Sequence, residues 1–522
     1  MKGNSLISQC KTYLKQNPTE IVFGLYFFAV MSASVLMTGG GILFKTLTLY
    51  AAITLTPLLH KFVVKINFSS PSDVSKKTKI KVFAIAGGTA FAVLLLCYAA
   101  NYPGAFSPDS INQYSQAIRG SYNDWHPTWH TLLFFTFPLK LTGGWAGSII
   151  LFQMIYFSLF MGIFSLTVYL YAGAFYAFFS MLLLLLSPFT LEILMYPWKD
   201  TAFAIASGFC MLFAVHIYFT KGEWSKKVYR LVIFAFLLAS ATLFRHNGIL
   251  FTFFLAMALI FFMQKKQWVL LIAMTIILLV CVKIPVYSFL KVGKPARRTQ
   301  ETMGFPLSVI INVAKERPDK LDDTTANFVQ NLTKNQPNWK KFHNISGFNS
   351  IKWTEGRPNN DAIKKAGVAG ILRMMCRCFT VAPKQAKQAA VGLTIHVYGL
   401  EIACRAPFRI ANNNLKLTDK GIKPLKLLVQ HYISFISKSS LRYVFQCIGS
   451  TILAMLAFIL FKSNFRSWSD WKRIFLCIPI FTYNFGTMLL LSGRDVRFFY
   501  VSFLVCPLVI LILCGKQAES PQ

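Results

Sequence analysis

Apolar runs long enough to cross a bilayer recur along almost the whole chain, and this constrains the fold more than any other feature. The stretch "SIILFQMIYFSLFMGIFSLTVYLY" (148–171) exceeds the roughly 20 residues that a helix needs to cross a hydrocarbon core about 30 Å thick. Inside lipid a backbone must satisfy its own hydrogen bonds, so such runs cross as helices. They are read at 20–37, 41–63, 81–100, 147–170, 173–191, 200–219, 229–245, 248–264, 268–289, 443–461, 474–491 and 497–514. The expected class is an all-α polytopic membrane protein with about 12 transmembrane helices. The opening "MKGNSLISQCKTYLKQNPTE" is polar for too long to be a cleavable signal, so the first run is expected to be retained.

Charge then sets the orientation. The chain has 54 Lys and Arg against 19 Asp and Glu, a formal net charge of +35. In a soluble protein that balance would point to nucleic acid. Here the cations cluster between apolar runs, where they fix topology and meet anionic head groups, so nucleic-acid binding is excluded as a reading. Lys65, Lys76, Lys77, Lys79 and Lys81 mark one cytoplasmic loop, and Lys221, Lys226, Lys227 and Arg230 mark another. These loops share a side only if "PTWHTLLFFTFPLKL" (127–141) lies along the interface without crossing. The same choice places Lys265 and Lys266, then Lys462, Arg466, Lys472 and Arg473, inside. Both termini are then cytoplasmic. The membrane is expected to be the cytoplasmic membrane of a bacterium.

That parity gathers the polar motifs at the extracytoplasmic face. They are "SPDSINQYSQAIRGSYNDWHP", "EILMYPWKD", "FRHNG" and "SGRDVR", together with a long loop or small domain at 290–440. Asp109 is the candidate general base, since a carboxylate at the membrane surface can take a proton from an attacking hydroxyl. Its bland reading is helix-start chemistry. His126 shares a face with His130 if helical, and could position an acceptor. His130 reads better as an interfacial histidine. Lys199, Arg245 and the Arg494, Asp495 and Arg497 group suit a phosphate, with Arg giving bidentate contacts and Lys a point charge. Snorkelling or a salt bridge between helix ends is the competing account. Asp124, Asp200, His246 and Asn247 complete the candidate substrate-binding set. Lys45 and Lys283 are read as snorkelling.

Most cysteines (Cys97, Cys210, Cys281, Cys447, Cys477 and Cys506) sit in apolar runs as small hydrophobes. Cys376, Cys378 and Cys404 share the outer loop, where the pairing of any disulfide stays open. The sequons at Asn331 and Asn344 are weak signals.

With these motifs in place, the chain resembles the GT-C superfamily of polytopic glycosyltransferases. In that family an early acidic residue in the first outer loop is followed by juxtamembrane helices bearing a His-Pro motif. Asp109 and "WHPTWHTLLF" occupy those places. "YPGAFSPDSINQYSQAIRGSYNDWHP", "YPWKDTAF" and "LFRHNGILF" also look like an uncharacterised bacterial multipass group related to those enzymes. The resemblance covers roughly residues 81–260. It implies a GT-C-like core at 65–289 with outer loop 101–146. The chain departs from the family in placing two spans before the loop-bearing helix, so 1–64 is read as an added N-terminal two-helix hairpin, and the C-terminal helices at 441–522 follow the 290–440 stretch.

It further implies a transferase that moves a hexose or pentose from a polyprenyl-phosphate-linked donor to an envelope glycan or lipid acceptor. Asp109 would be the base and His126 its helper. No cofactor is expected, no metal ligands are assigned, and the use of a divalent metal is left open because no DxD or Asp-Glu pair stands at Asp109. The competing class is a transporter or flippase of an envelope lipid or polysaccharide. That class needs ionisable residues near mid-membrane, and those of this sequence stop at the outer boundary of the runs.

Overall fold

The computed structural model describes residues 17–38, 42–71, 74–294, 302–344, 347–401 and 408–515. Among these it is all-helical, with three isolated backbone bridges and no strand. Seven helices are long and apolar enough to cross a membrane: Phe44–Lys65, Lys76–Ala100, Gly147–Leu185, Lys199–Phe219, Lys265–Phe289, Trp468–Leu490 and Val496–Cys514. The pair Asn360–Val381 and Pro383–Tyr398 makes eight if it counts as one span bent by 119°. Pro18–Ala33, Val228–Phe244, Ile249–Phe261 and Ile448–Lys462 are apolar but shorter. The chain is thus a multipass helical protein, in which several runs counted from sequence as full spans form short helices. Runs 147–170 and 173–191 lie largely on one element, Gly147–Leu185, broken where Gly173 takes φ 83°. Only glycine adopts that backbone without strain.

The helices belong to two compact units. The first comprises the described residues of Met1–Leu59, Pro295–Glu401 and Asn484–Val496. Its core is built by Leu307, Ile310, Ile311, Phe328, Leu332, Trp339, Phe348, Ile351, Ile363 and Ile371. Much of the expected 290–440 loop is therefore a helical body with its own interior.

The second unit comprises His60–Lys294, Ile402–Tyr483 and the described part of Arg497–Gln522. Lys199–Phe219 is its central helix and is buried along nearly its whole length. The Lys76–Ala100 helix packs closely on Gly147–Leu185, because a Cβ on Gly162 would meet the Phe83 ring at 2.8 Å. Small residues let helices approach in this way where lipid gives no hydrophobic drive.

The connections of this unit collect at two ends. At one end Lys462 Nζ donates to the Val64 carbonyl (2.9 Å), Phe68 N donates to Cys514 O (3.0 Å), and Ser225 Oγ donates to Gln267 (2.8 Å). The basic loops read from sequence meet here. At the other end Tyr98 OH donates to Gly147 O (3.0 Å), Ala105 N to Met195 O (2.9 Å), and Gln153 Nε2 to Leu194 O (2.8 Å). Residues 128–141 form one short helical run with a π-turn at Leu132–Thr136. At 1.5 Å per residue it spans only about 21 Å, too short to cross.

Candidate functional site

The site grows from the second of these ends. Ser107 accepts from Ser110 N (3.3 Å), and Pro108 opens the Pro108–Arg119 helix, which closes on Gly120 in the left-handed conformation. Trp198 Nε1 donates to the same Ser107 hydroxyl (2.9 Å) and ties this helix to the start of Lys199–Phe219. Ser107 is thus the cap. Asp109, one residue into the helix, is not needed for capping and keeps 39% of its side chain exposed.

Around Asp109 the separate polar motifs converge. An Arg497 terminal nitrogen donates to its Oδ2 at 3.2 Å, and His126 Nε2 lies 3.9 Å from its Oδ1. Lys199 Nζ lies 3.3 Å from His126 Nδ1. An ammonium can only donate, so Nδ1 accepts and the ring proton sits on Nε2, facing Asp109. Behind this row Asp200 is buried between two arginines. Arg245 pairs with its Oδ1, and Arg497 Nε stands 3.5 Å from its Oδ2. Asn247 Oδ1 accepts from Arg245 Nε at 2.6 Å. Aromatic faces complete the cage, with the Arg497 guanidinium 4.8 Å from the Trp198 ring and that of Arg245 4.1 Å from Phe498.

Three cations (Lys199, Arg245 and Arg497) face two carboxylates, which leaves one positive charge in excess. Burial and then the Lys199 ammonium push the His126 imidazole down to about 3, so it is neutral near pH 7. For Asp109 burial raises the carboxyl, but Arg497 and then Lys199 outweigh it and hold it below the usual carboxylate range. Arg245 and Arg497 are bound to carboxylates. Lys199 bonds only a neutral ring, with no carboxylate in ion-pair range among the described residues. It is the cation with donors to spare.

Other expected residues lie elsewhere or serve differently. Asp200 and Asn247 hold the arginines in place. Asp124 is a latch: its carboxylate accepts from Thr128 N (3.1 Å), Lys283 Nζ (3.0 Å) and Tyr287 OH (3.1 Å). His246 Nε2 reaches the Asp124 carbonyl at 3.2 Å. Lys283, read as snorkelling, is therefore an ion-pair partner. His130 is wholly buried, with its ring stacked 5.1 Å from Phe134 and Nδ1 bonded to Gln113 (2.9 Å), a core position and no interfacial one. Arg494 belongs to the other unit, where it pairs with Glu401 (3.0 Å) and the Gly392 carbonyl. Cys376 and Cys378 are free thiols, and Cys404 lies outside the described residues.

Sequence reasoning missed Ser107, Trp198, Gln113 and Phe498. Of these Trp198 carried a signal as the neighbour of Lys199 in "YPWKD", and Ser107 carried one as the serine before proline in the helix-start pattern "SPDS". No three His, Cys, Asp or Glu side chains converge as a metal site among the described residues. With both cluster carboxylates engaged by arginine, the donor set does not fit a divalent cation. No protein-family model, curated protein or solved structure matches this chain.

Proposed function

We propose that the chain is a membrane glycosyltransferase that moves a sugar from a polyprenyl-phosphate donor to a cell-envelope glycan or lipid, on the extracytoplasmic side of a bacterial membrane. The observation that carries this reading is a partly exposed carboxylate, Asp109, beside a neutral histidine and an uncompensated positive charge. Asp109 takes the proton of the acceptor hydroxyl. The acceptor oxygen bonds to the anomeric carbon as the bond from that carbon to the phosphate oxygen breaks, and the phosphate leaves with the electron pair. The transition state resembles the oxocarbenium ion of glycoside hydrolysis.

Lys199 meets the growing charge on the leaving phosphate. Arg497 links the two halves of the reaction. In the resting cluster it holds Asp109 as a weak base, and an arriving phosphate competes for its guanidinium and frees the carboxylate to accept a proton. His126, whose Nε2 faces Asp109 at 3.9 Å, is placed to steer the acceptor hydroxyl toward the carboxylate.

The test is release of polyprenyl phosphate by the protein in nanodiscs, offered a panel of polyprenyl-phosphate hexoses and pentoses with envelope glycan acceptors. Asp109→Asn, which keeps the shape and loses the base, should lower transfer by about 10²–10⁴-fold while the protein still folds, with only the stability of the Arg497 pair given up. Undiminished transfer would remove Asp109 from the reaction.

A further inference from the structure

Within the stretch that sequence assigns to an outer loop, the Lys423–Lys438 helix presents an apolar face that no part of its own unit covers. Leu428 and Phe435, seven residues apart, share one side of the helix, a stripe widened by Leu427. Leu428 is 67% exposed, Phe435 64% and Leu427 57%. Lysines bracket the stripe, with Lys420 and Lys423 exposed at one end and Lys438 at the other.

The anchors of this helix fix its level in the bundle. Lys420 N donates to Tyr102 O (2.8 Å) and Ile422 N to Ala99 O (2.9 Å), where the Lys76–Ala100 span ends. Tyr432 OH then reaches the carbonyl of Leu186, just past the end of Gly147–Leu185. Beyond the helix, Ser187 bonds the carbonyl of Phe445. Every one of these partners is at or next to a helix terminus, at the same end of the bundle as Asp109. A helix strung between the ends of two spans runs across the bundle, and its outward face stands at the level where a bilayer changes from acyl chains to head groups.

We propose that Lys423–Lys438 lies in the membrane plane, with Leu427, Leu428 and Phe435 sunk in the leaflet on the candidate-site side and Lys420, Lys423 and Lys438 gathering acidic phospholipid head groups. Apolar residues below and basic residues at the rim are the signature of such helices. The proposal holds whether or not the protein is a transferase.

The full chain in nanodiscs of phosphatidylcholine and phosphatidylglycerol, with Cys10→Ser, Cys281→Ser, Cys376→Ser and Cys404→Ser as background, would carry a spin label at Leu428→Cys or Phe435→Cys. Both labels should collide with oxygen more than with a water-soluble nickel complex, at a depth of about 5–10 Å below the phosphates. Phosphatidylglycerol co-purifying with the protein should be enriched several-fold over phosphatidylcholine, and the Lys420→Gln, Lys423→Gln, Lys438→Gln variant should lose most of that enrichment. Labels open to the nickel complex, labels shielded from both reagents by protein, or equal recovery of the two lipids in the parent would each overturn the assignment.

Discussion

His126 stands between an ammonium on Nδ1 and a carboxylate facing Nε2, and its protonation is a cost that the folded chain declines. Between the ordinary histidine value near 6.5 and the folded value of about 3, the unfolded chain binds a proton here that the folded chain does not. Stability therefore falls as pH drops through that window and is indifferent to this residue above it. The slope is about 1.4 kcal/mol per pH unit for one proton, and about 2 kcal/mol has been lost by pH 5. Glutamine offers Lys199 an acceptor and Asp109 a donor but does not titrate. His126→Gln should thus lose less thermal stability between pH 7 and pH 5 than the parent, measured as unfolding in nanodiscs. Equal losses would mean that His126 is protonated in the fold. Asp109 pulls the same way at lower pH, since its depressed carboxyl adds stability that disappears only as pH falls through its folded value.

At the scale of elements, the short helical run at 128–141 must be pinned for His126 to face Asp109, and Asp124 does the pinning. One carboxylate caps the run at Thr128 and holds Lys283 and Tyr287 of the Lys265–Phe289 helix. Asp124→Ala leaves the cap and the lysine unanswered and should cost about 1–3 kcal/mol, the lower part of that range reflecting the partial exposure of Lys283. Asp124→Asn, which keeps an acceptor for Thr128 and Tyr287, should recover part of the loss. Chemical unfolding of the three proteins in one detergent measures both, and an alanine variant as stable as the parent would dissolve the latch.

The sequence made half of this legible. Asp109, His126, Lys199, Arg245 and Arg497 each sit in a short polar island at the edge of an apolar run, where ionisable residues stand out. The pairing of Lys283 with Asp124 did not stand out, because the partners are separated by 159 positions and a lysine near the end of a run reads equally well as snorkelling. Arg494 and Arg497 look alike in "SGRDVR", yet one turns to Glu401 and the other to Asp109. Nothing local to a sequence records that choice, which depends on which helix each side chain meets.

For the whole molecule, the distribution of charge and the paths of the helices of the second unit make one statement about sidedness. Val228–Phe244 and Ile448–Lys462 are shorter than a full span, but each runs from one end of the unit to the other. Arg230 bonds Trp224 O in the basic loop while Arg245 enters the site, and Lys462 reaches Val64 while Phe445 meets Ser187. Seventeen residues rise about 25 Å, close to the thickness of a hydrocarbon core, and polar termini with snorkelling lysines cover the remainder. The count of crossings from length alone is therefore a lower figure than the paths of the chain suggest, and the twelve-span reading stands as a proposal that topology can test. A short epitope inserted after Ser121, in the loop beside the site, should be bound by antibody on intact cells. The same epitope between Lys226 and Lys227 should be bound only after permeabilisation, because short basic loops stay on the cytoplasmic side. Ser121, Lys226 and Lys227 are all exposed. Binding of both epitopes on intact cells would place the basic loops and the Asp109 cluster on one side, and would overturn the proposal that Val228–Phe244 crosses.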